Sequence, residues 1–276
     1  MKLQYLGTAA AECWPAIFCE CPACLEAARR GGRNIRHRSG AIVNDRVLID
    51  LSADLYAMKL RLGLDLSRVR HVLITHAHSD HFYRETLENY LPGYAHIVHH
   101  GPLHLYGSAH TRAFFEEYAH SDACEPLGDH VVFHEVAPFE RFRADTLCVT
   151  AYPAVHGCPG SLFYRIEEEG RALLYAHDTG LWGEEAWAHL ASEGRLSAVS
   201  LDCTFGPTHS DYTGHMGFSQ NLQVRERMER SGLVQPGARF ICHHFSHNGG
   251  MLHEEMCARM NPEGFDIAYD GMAVEI

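Results

Sequence analysis

The segment from Thr75 to His81 holds four side chains of the types that bind metal ions, namely His76, His78, Asp80 and His81. Two His separated by one residue can point the same way from an extended segment. The turn that follows can bring the Asp and the last His to a second, adjacent position. Imidazole and carboxylate groups suit Zn²⁺, Mn²⁺ and Fe²⁺. The spacing therefore predicts a pair of metal ions that share one loop.

The same placement recurs three times further along the chain. The apolar run VLIT precedes His76, and similar strand-like runs precede His156, Asp178 and His244. In open α/β sheets, ligands gather beyond the carboxyl ends of strands. We therefore expect these four groups to converge on one site.

A pattern of His-x-His-x-Asp-His after an apolar strand resembles the signature of the metallo-β-lactamase superfamily. The resemblance continues in order through AVHG, AHDTG and HHFSH and covers nearly the whole chain. It implies one domain over residues 1–276, folded as an αββα sandwich of two packed mixed sheets with helices on the outer faces. It also implies two sets of metal ligands with one bridging carboxylate: His76, His78 and His156 for one metal, Asp80, His81 and His244 for the other, and Asp178 as the bridge.

Such a site would perform metal-dependent hydrolysis. Two divalent cations about 3.5–4 Å apart can bind a water between them and lower its pKa toward neutrality. That hydroxide would be the nucleophile, so no Ser or Cys nucleophile is required. Zn²⁺ and Mn²⁺ both suit the ligands, as does Fe²⁺.

A second cluster, Cys19-Glu20-Cys21-Pro22-Ala23-Cys24, lies near the N-terminus. Three thiolates in this spacing can chelate one Zn²⁺ with a fourth ligand from elsewhere, and buried free thiols are the alternative. The cluster resembles the structural zinc site of the PhnP-like phosphodiesterases of phosphonate degradation. That resemblance implies His247, three residues after His244, as the fourth ligand; His37 is the competing candidate.

A third feature follows the predicted strand at 198–202. In the PhnP-like and tRNase Z groups that the chain resembles, a His in this region serves as general acid or phosphate contact. His215, in TGHMGF, fits that position best, and His209 is the alternative. A poised imidazole can supply a proton to a leaving alkoxide near neutral pH. We count His215 as catalytic together with Asp80.

The resemblance implies a phosphodiesterase acting on small phosphate diesters, cyclic ones included. A tRNase Z-like nuclease and a lactone, thioester or β-lactam hydrolase are the alternatives within the superfamily, and a non-hydrolytic binding protein is the alternative outside enzymes. Presence of all seven candidate ligands argues against the last. A net charge of -12 argues against a nucleic-acid partner, because phosphate contacts usually require a basic face.

The N-terminus shows no apolar signal-peptide core, and no run of 18 apolar residues occurs. We therefore expect a cytoplasmic protein with a small-molecule partner and no membrane association. Homodimer formation stays open.

Strands and helices must position these groups, and both alternate along the chain in two blocks. Ten short apolar runs predict strands at 2–8, 40–43, 46–51, 71–75, 147–152, 161–167, 171–176, 198–202, 239–243 and 266–276. Helical spacing of apolar residues predicts helices at 53–62, 84–90, 111–118, 184–192 and 218–231.

Residues 83–145 show the least regular pattern. Seven His of this region are predicted to lie on the surface: His99, His100, His104, His110, His120, His130 and His134. The chain also departs from the superfamily by lacking a Gly soon after the His-rich motif. Phe82, Tyr83 and Arg84 stand there instead, and we expect them to shape a substrate wall in which Arg84 pairs with an anion.

Overall fold

Two seven-stranded sheets pack face to face in the computed structural model, which describes residues 1–98 and 101–276. The strands in chain order are β1 (Lys2–Gly7), β2 (Gly40–Val43), β3 (Val47–Ile49), β4 (His71–Leu73), β5 (Leu103–Gly107), β6 (Val131–Glu135), β7 (Arg141–Ala144), β8 (Leu147–Pro153), β9 (Leu162–Glu168), β10 (Arg171–Ala176), β11 (Leu196–Asp202), β12 (Val234–His243), β13 (Phe265–Ile267) and β14 (Ala273–Glu275). The first sheet has the order β14-β1-β2-β3-β4-β5-β6, and the second has the order β13-β12-β11-β10-β9-β8-β7.

Both sheets are mixed. In the first, β3 to β6 run parallel, whereas β14, β1, β2 and β3 pair antiparallel. In the second, β10 to β13 run parallel, whereas β7 to β10 pair antiparallel. Parallel strands deliver their carboxyl ends to one edge, which is where the polar clusters of the sequence begin.

Helices cover the outer faces. They are α1 (Pro22–Arg30), α2 (Leu55–Leu62), α3 (Ala109–Ala119), α4 (Glu184–Ser192), α5 (Phe218–Arg230) and α6 (His253–Met260), with 3₁₀ helices at Gly32–Asn34, Arg84–Tyr90, Gly128–His130, His247–Gly249 and Asn261–Glu263. Side chains of α2 and α3 pack on the first sheet, and those of α1, α4, α5 and α6 pack on the second. The predicted αββα sandwich is confirmed.

Alternation along the strands builds the core between the sheets. In β10, Leu173 and Tyr175 face the first sheet, while Leu174 faces the helices; all three are fully buried. In β1, Leu3 and Tyr5 face inward in the same way. Successive side chains of a strand point to opposite faces of the sheet. A strand that packs on the other sheet with one face and on helices with the other therefore needs apolar residues on both faces.

The region 83–145 is more regular than predicted, because besides the predicted helix α3 it contains the strands β5, β6 and β7. Strands β5 and β6, the last two strands of the first sheet, carry His104 and His134 at neighbouring positions. His104 and His134 are accordingly half-buried, with 2.9 Å between ring nitrogens, so their predicted surface placement is wrong. His110, His120 and His130 are exposed as predicted, and His99 and His100 lie outside the described residues.

Two further expectations about this framework are wrong. The predicted strand at 266–276 is two strands in different sheets, β13 and β14, because the chain turns between them at Gly271, whose φ is 92°. Phe82 and Arg84 do not form a substrate wall: Phe82 is buried, and the Arg84 guanidinium stacks 3.6 Å from the Phe114 ring centroid and donates to the Phe114 carbonyl. Tyr83 alone of the three is exposed.

Helix α1 was not predicted, although a signal was present. Cys21 caps it, accepting a hydrogen bond from the backbone N–H of Cys24 at 3.4 Å, and Pro22 occupies the first helical position, a typical start for a helix.

Across the described residues, none of the helices is both long enough and apolar enough to cross a membrane.

Candidate metal centre and active site

Six strand ends deliver polar side chains to one edge of the sandwich. Asp50 follows β3, the segment 75–81 follows β4, and His156 follows β8; Asp178 follows β10, Asp202 ends β11 and His244 follows β12. Both sheets therefore contribute, and residues up to 194 positions apart in the chain become neighbours.

Three of these residues have the left-handed backbone conformation. Asp50, Asp178 and His244 have φ values of 66°, 52° and 61°. That conformation costs a non-glycine residue roughly 1–2 kcal/mol, and it turns the chain sharply just beyond a strand. Such strain persists where the surrounding structure over-determines it, typically at functional sites.

The first ligand group is His76, His78, His156 and Asp178, whose donor atoms lie within 4.8 Å of one another. His78 Nδ1 is 3.0 Å from His76 Nε2 and 3.2 Å from His156 Nε2. The Asp178 carboxylate lies 3.2 Å from His76 Nε2 and 3.3 Å from His156 Nδ1. His76 is buried and His156 half-buried, whereas His78 is exposed. The group therefore opens to solvent on the His78 side.

The second group is Asp80, His81, Asp178 and His244, all buried and with donor atoms again within 4.8 Å. His81 Nε2 lies 3.0 Å from Asp80 and 3.1 Å from Asp178, and His244 Nε2 lies 3.8 Å from Asp178. Asp178 belongs to both groups. The structure thus brings together all seven predicted ligands of the dinuclear site, with Asp178 between the two sets.

Hydrogen bonds from the far side of each ring test whether these imidazoles fit a metal. His81 Nδ1 donates to Asp50 at 2.7 Å, His244 Nδ1 donates to Thr204 Oγ1 at 2.8 Å, and His76 Nδ1 lies 3.1 Å from Thr75 Oγ1. Each bond directs the lone pair of Nε2 toward Asp178. In metal proteins, a hydrogen bond to the outward nitrogen of a ligating His fixes the tautomer and orientation of the ring in this way.

Unpaired buried atoms support the same conclusion. Within the described residues, His81 Nε2, His244 Nε2 and Asp178 Oδ1 are buried and make no hydrogen bond of acceptable geometry, although oppositely charged groups lie 3.0–3.1 Å from His81 Nε2 and Asp178 Oδ1. A buried polar atom without a partner carries a desolvation penalty that a bound ion would remove. The donor set therefore fits divalent cations.

Asp50, which sequence reasoning missed, supports this centre from behind. Its fully buried carboxylate accepts hydrogen bonds from His81, from His177 Nε2 at 3.0 Å, and from the backbone and hydroxyl of Thr75 at 2.8 and 3.0 Å. The signal was available, because Asp50 directly follows the apolar run VLI just as the predicted ligands follow theirs.

The electrostatics of the centre favour cations. Burial alone would raise the pKa of Asp178, but the surrounding His side chains, His244 first among them, hold that pKa well below its ordinary value. Burial opposes a charge on His81, yet Asp80 and Asp50 raise its pKa well above the ordinary value. Burial lowers the pKa of His76 to about 3. A field that holds a proton between carboxylates would equally favour a divalent cation in its place.

His215 lies at the rim of the centre. Its Nδ1 is 3.0 Å from Asp178 and 3.2 Å from Asp202. Burial lowers its pKa, but Asp202 and then Asp178 raise it to a net value of about 11. His209, the alternative, is exposed and pairs with the exposed Asp211 at 3.5 Å. The structure brings His215, and not His209, to the candidate ligands.

Asp202 and Thr204 position the residues around His215, and neither was predicted as a functional residue from the sequence. Asp202 is fully buried and accepts from the backbone N–H groups of Thr204 and Met216 at 3.0 and 2.8 Å. Its carboxylate also lies 3.4 Å from His244 Nδ1. Asp202 therefore orients a candidate ligand and a candidate acid together. Its position at the end of β11 was the available signal.

The cysteine cluster is built as one unit. Cys19, Cys21, Cys24 and His247 have donor atoms within 4.8 Å of one another, and His247 Nδ1 lies 3.6 Å from Cys19 Sγ and 3.4 Å from Cys21 Sγ. Tetrahedral zinc with ordinary bond lengths places such S and N atoms about 3.6 Å apart. The competing His37 instead hydrogen-bonds Asp270 at 2.8 Å.

The Cys21 thiol is predisposed to ionise. The backbone N–H of Cys24 at the start of α1 lowers its pKa, burial opposes the shift, and His247 adds to it, which gives a pKa of about 6. A thiolate at a helix N-terminus is stabilised by the helix dipole. The thiolate is the form that binds metal.

Comparisons with known proteins agree with this geometry. A family model for the beta-lactamase superfamily domain matches residues 45–245. Ribonuclease Z of Pyrococcus abyssi is 26% identical over 143 residues, which span 50% of this chain and 44% of that protein. This chain therefore matches less than half the length of that relative.

Solved structures show the same fold at low identity. A diphosphatase of the PhnP family is 21% identical with a TM-score of 0.77, covering all of this chain and 97% of that one. Zn²⁺-bound PqqB from Methylobacterium extorquens is 19% identical with a TM-score of 0.78, covering all of both chains. The short form of human tRNase Z is 18% identical with a TM-score of 0.68, covering all of this chain and 99% of that one.

The family match covers all seven dinuclear-site candidates, from His76 to His244. Their His and Asp clusters can bind metal, and the two-sheet sandwich is the metallo-β-lactamase fold. The chain belongs to the beta-lactamase superfamily, as a hydrolase of the metallo-β-lactamase fold.

Proposed function

We propose that the protein is a metal-dependent phosphodiesterase that cleaves small phosphate diesters, cyclic ones included. One observation carries the proposal: an imidazole, His215, sits between Asp178 and Asp202 at the edge of a seven-residue ligand cluster. Hydrolysis of a diester requires charge stabilisation at the phosphoryl oxygens and, where the leaving alcohol is weakly acidic, a proton for the leaving oxygen. This site places candidates for both side by side.

The two ligand groups would hold two divalent cations, Zn²⁺ or Mn²⁺ with Fe²⁺ also suited, and the cysteine cluster would hold a structural Zn²⁺. Cations held there would neutralise charge on the phosphoryl oxygens and acidify a water for attack. Asp178 contributes to both groups and so sets their separation. Asp80, one-tenth exposed, lies on the His81 side of the bridge and can orient an attacking water.

The remaining groups bind and orient the substrate from the open side. His78 is the exposed member of the cluster, so a diester would approach beside it. His215 is held with Nδ1 toward two carboxylates, which fixes the ring and keeps a proton available for the leaving oxygen.

The similar proteins support phosphate-ester chemistry, since two are by name a diphosphatase and a ribonuclease. A long RNA is disfavoured by the net charge of -12, because phosphates are usually bound by a basic face. A small diester carries a single negative charge, which two bound cations can offset.

Turnover of bis(p-nitrophenyl) phosphate by protein reconstituted with Mn²⁺ or Zn²⁺ tests the proposal. We expect p-nitrophenol release that depends on added metal and is lost on chelation. His209→Ala is the matched control and should keep full turnover, because that exposed ring lies outside the cluster. Hydrolysis of a lactone or thioester, with none of any diester, would refute the phosphodiesterase assignment.

The role of His215 predicts a dependence on the leaving group. General-acid catalysis contributes roughly 10²–10⁴-fold, so His215→Ala should slow hydrolysis of diphenyl phosphate by about 100-fold or more. Hydrolysis of bis(p-nitrophenyl) phosphate should slow by less than about 10-fold, because p-nitrophenolate leaves without a proton. The ratio of the two rates measures this directly. Equal losses on both substrates would mean that His215 supports the metal centre and donates no proton.

A further inference from the structure

The loop that carries His215, residues 205–217, is pressed against two of the ligand-bearing loops. A Cβ added to Gly180, two residues after Asp178, would overlap the carbonyl oxygen of Thr213. Gly180 N–H also donates to the Val155 carbonyl at 2.8 Å, next to His156. Only glycine permits so close a backbone approach. The main chain of this loop therefore lies directly against the segment that follows Asp178.

Tyr212 lies on the outside of the same junction. Its hydroxyl is 2.9 Å from the position of a Cβ on Gly157, and its ring edge is 2.6 Å from that position on Gly214. Its ring lies 5.5 Å from the His215 ring at 54°. The side chain therefore covers the two glycines and leans toward the candidate acid.

Tyr212 is only half covered by these contacts. Tyr212 is 50% exposed, and Leu181, the neighbour of Gly180, is 44% exposed. Two large, partly exposed side chains therefore lie on either side of the contact between Gly180 and Thr213, at the entrance to the candidate metal centre. The candidate ligands of that centre are all polar. Binding sites typically combine a few polar anchors with aromatic walls of this kind.

We infer that Tyr212 is a specificity-determining residue that stacks against a planar ring in the leaving group of the substrate. This rests on the proposed function, in which His215 serves the leaving oxygen; Tyr212 lies beside His215 and therefore on the leaving-group side. The substrate class is a phosphodiester whose leaving alcohol carries an aromatic ring, aryl or nucleobase. Stacking of a ring on tyrosine adds affinity and accepts different planar rings, because it does not depend on hydrogen bonds to particular ring atoms.

Binding of two non-hydrolysable phosphonates to the metal-loaded protein tests the inference. The two ligands are the monomethyl esters of benzylphosphonate and ethylphosphonate, called benzylphosphonate and ethylphosphonate below; both carry the single negative charge of a diester and a methylene in place of the leaving oxygen, but only the first carries a ring. By calorimetry, we expect benzylphosphonate to bind on the order of ten-fold more tightly to the unaltered protein, as one stacked ring allows. Tyr212→Ala should remove that preference and leave the Kd of ethylphosphonate unchanged, and Tyr212→Phe should retain it.

Tyr94→Ala is the matched control, an exposed tyrosine elsewhere on the surface that should leave both affinities unchanged. Equal binding of the two phosphonates to the unaltered protein, or a preference that survives in Tyr212→Ala, would overturn the inference while leaving the proposed function standing. A variant that weakens both ligands equally would show that Tyr212 only supports the loop, which also overturns it. Failure of both phosphonates to bind the unaltered protein would overturn the proposed function and this inference together.

Discussion

Asp178→Asn is expected to lower turnover of bis(p-nitrophenyl) phosphate on the order of a thousand-fold or more, because the several kcal/mol of charge stabilisation that a dinuclear centre supplies depend on its bridge. The Asp178 carboxylate lies 3.0–3.8 Å from ring nitrogens of five different His. An amide keeps the shape but loses the charge that belongs to both ligand groups. Asn also tolerates the left-handed backbone at this position, where φ is 52°, better than Ala does.

Metal content and thermal stability separate this effect from misfolding. The variant should bind fewer active-site metal ions by elemental analysis, yet its metal-free form should melt within a few degrees of the metal-free parent protein. Asp211→Asn, a change at a fully exposed carboxylate on the nearby loop, should keep both metal and turnover. An Asp178→Asn variant with full activity would show that the two ligand groups do not act as one centre.

Cys21→Ser is expected to remove one zinc per chain and to lower Tm by about 10 °C or more, since a structural zinc contributes several kcal/mol of folding free energy. The Cys21 thiol lies 3.4 Å from His247 Nδ1 and so ties the N-terminal loop to the 3₁₀ helix at His247–Gly249. Serine is a poor ligand for zinc but a good helix cap. The substitution therefore removes the metal without weakening the start of α1.

Stripping the zinc with a chelator provides the internal comparison. The parent protein should lose more stability on chelation than Cys21→Ser, because only the parent has a structural zinc to lose in addition to its active-site cations, and the two forms should melt at similar temperatures once all metal is gone. Cys124→Ser, a half-buried thiol outside the cluster, should retain the zinc. Unchanged Tm and zinc content in Cys21→Ser would mean that these thiols are ordinary buried cysteines.

Much of the framework was predictable because it is encoded locally. Apolar runs of strand length marked most of the strands, and the residues that follow them marked the edge at which β4, β8, β10 and β12 end. Strands β5 and β6 were missed because His104 and His134 interrupt their apolar runs, yet these rings are half-buried beside each other. Local pattern fails where a polar ring is buried against another ring, since burial depends on neighbours distant in the chain.

The supporting groups of the centre show the same limit. Asp50 acts through His81 and His177, and Asp202 acts through His215 and His244. Nothing in the spacing of these residues reveals the contacts, because they join different strands. A carboxylate after a strand could equally have capped a turn in solvent.

By itself, the sequence determined the identity and order of the candidate ligands, because the types and spacings of side chains limit which ions a loop can hold. Only the tertiary structure decided which nitrogen of each imidazole faces the centre, that His215 rather than His209 reaches it, and that Tyr212 stands at its mouth. Those outcomes follow from the packing of two sheets and their loops, where contacts of a few ångströms between distant residues fix orientation. No local pattern carries that information.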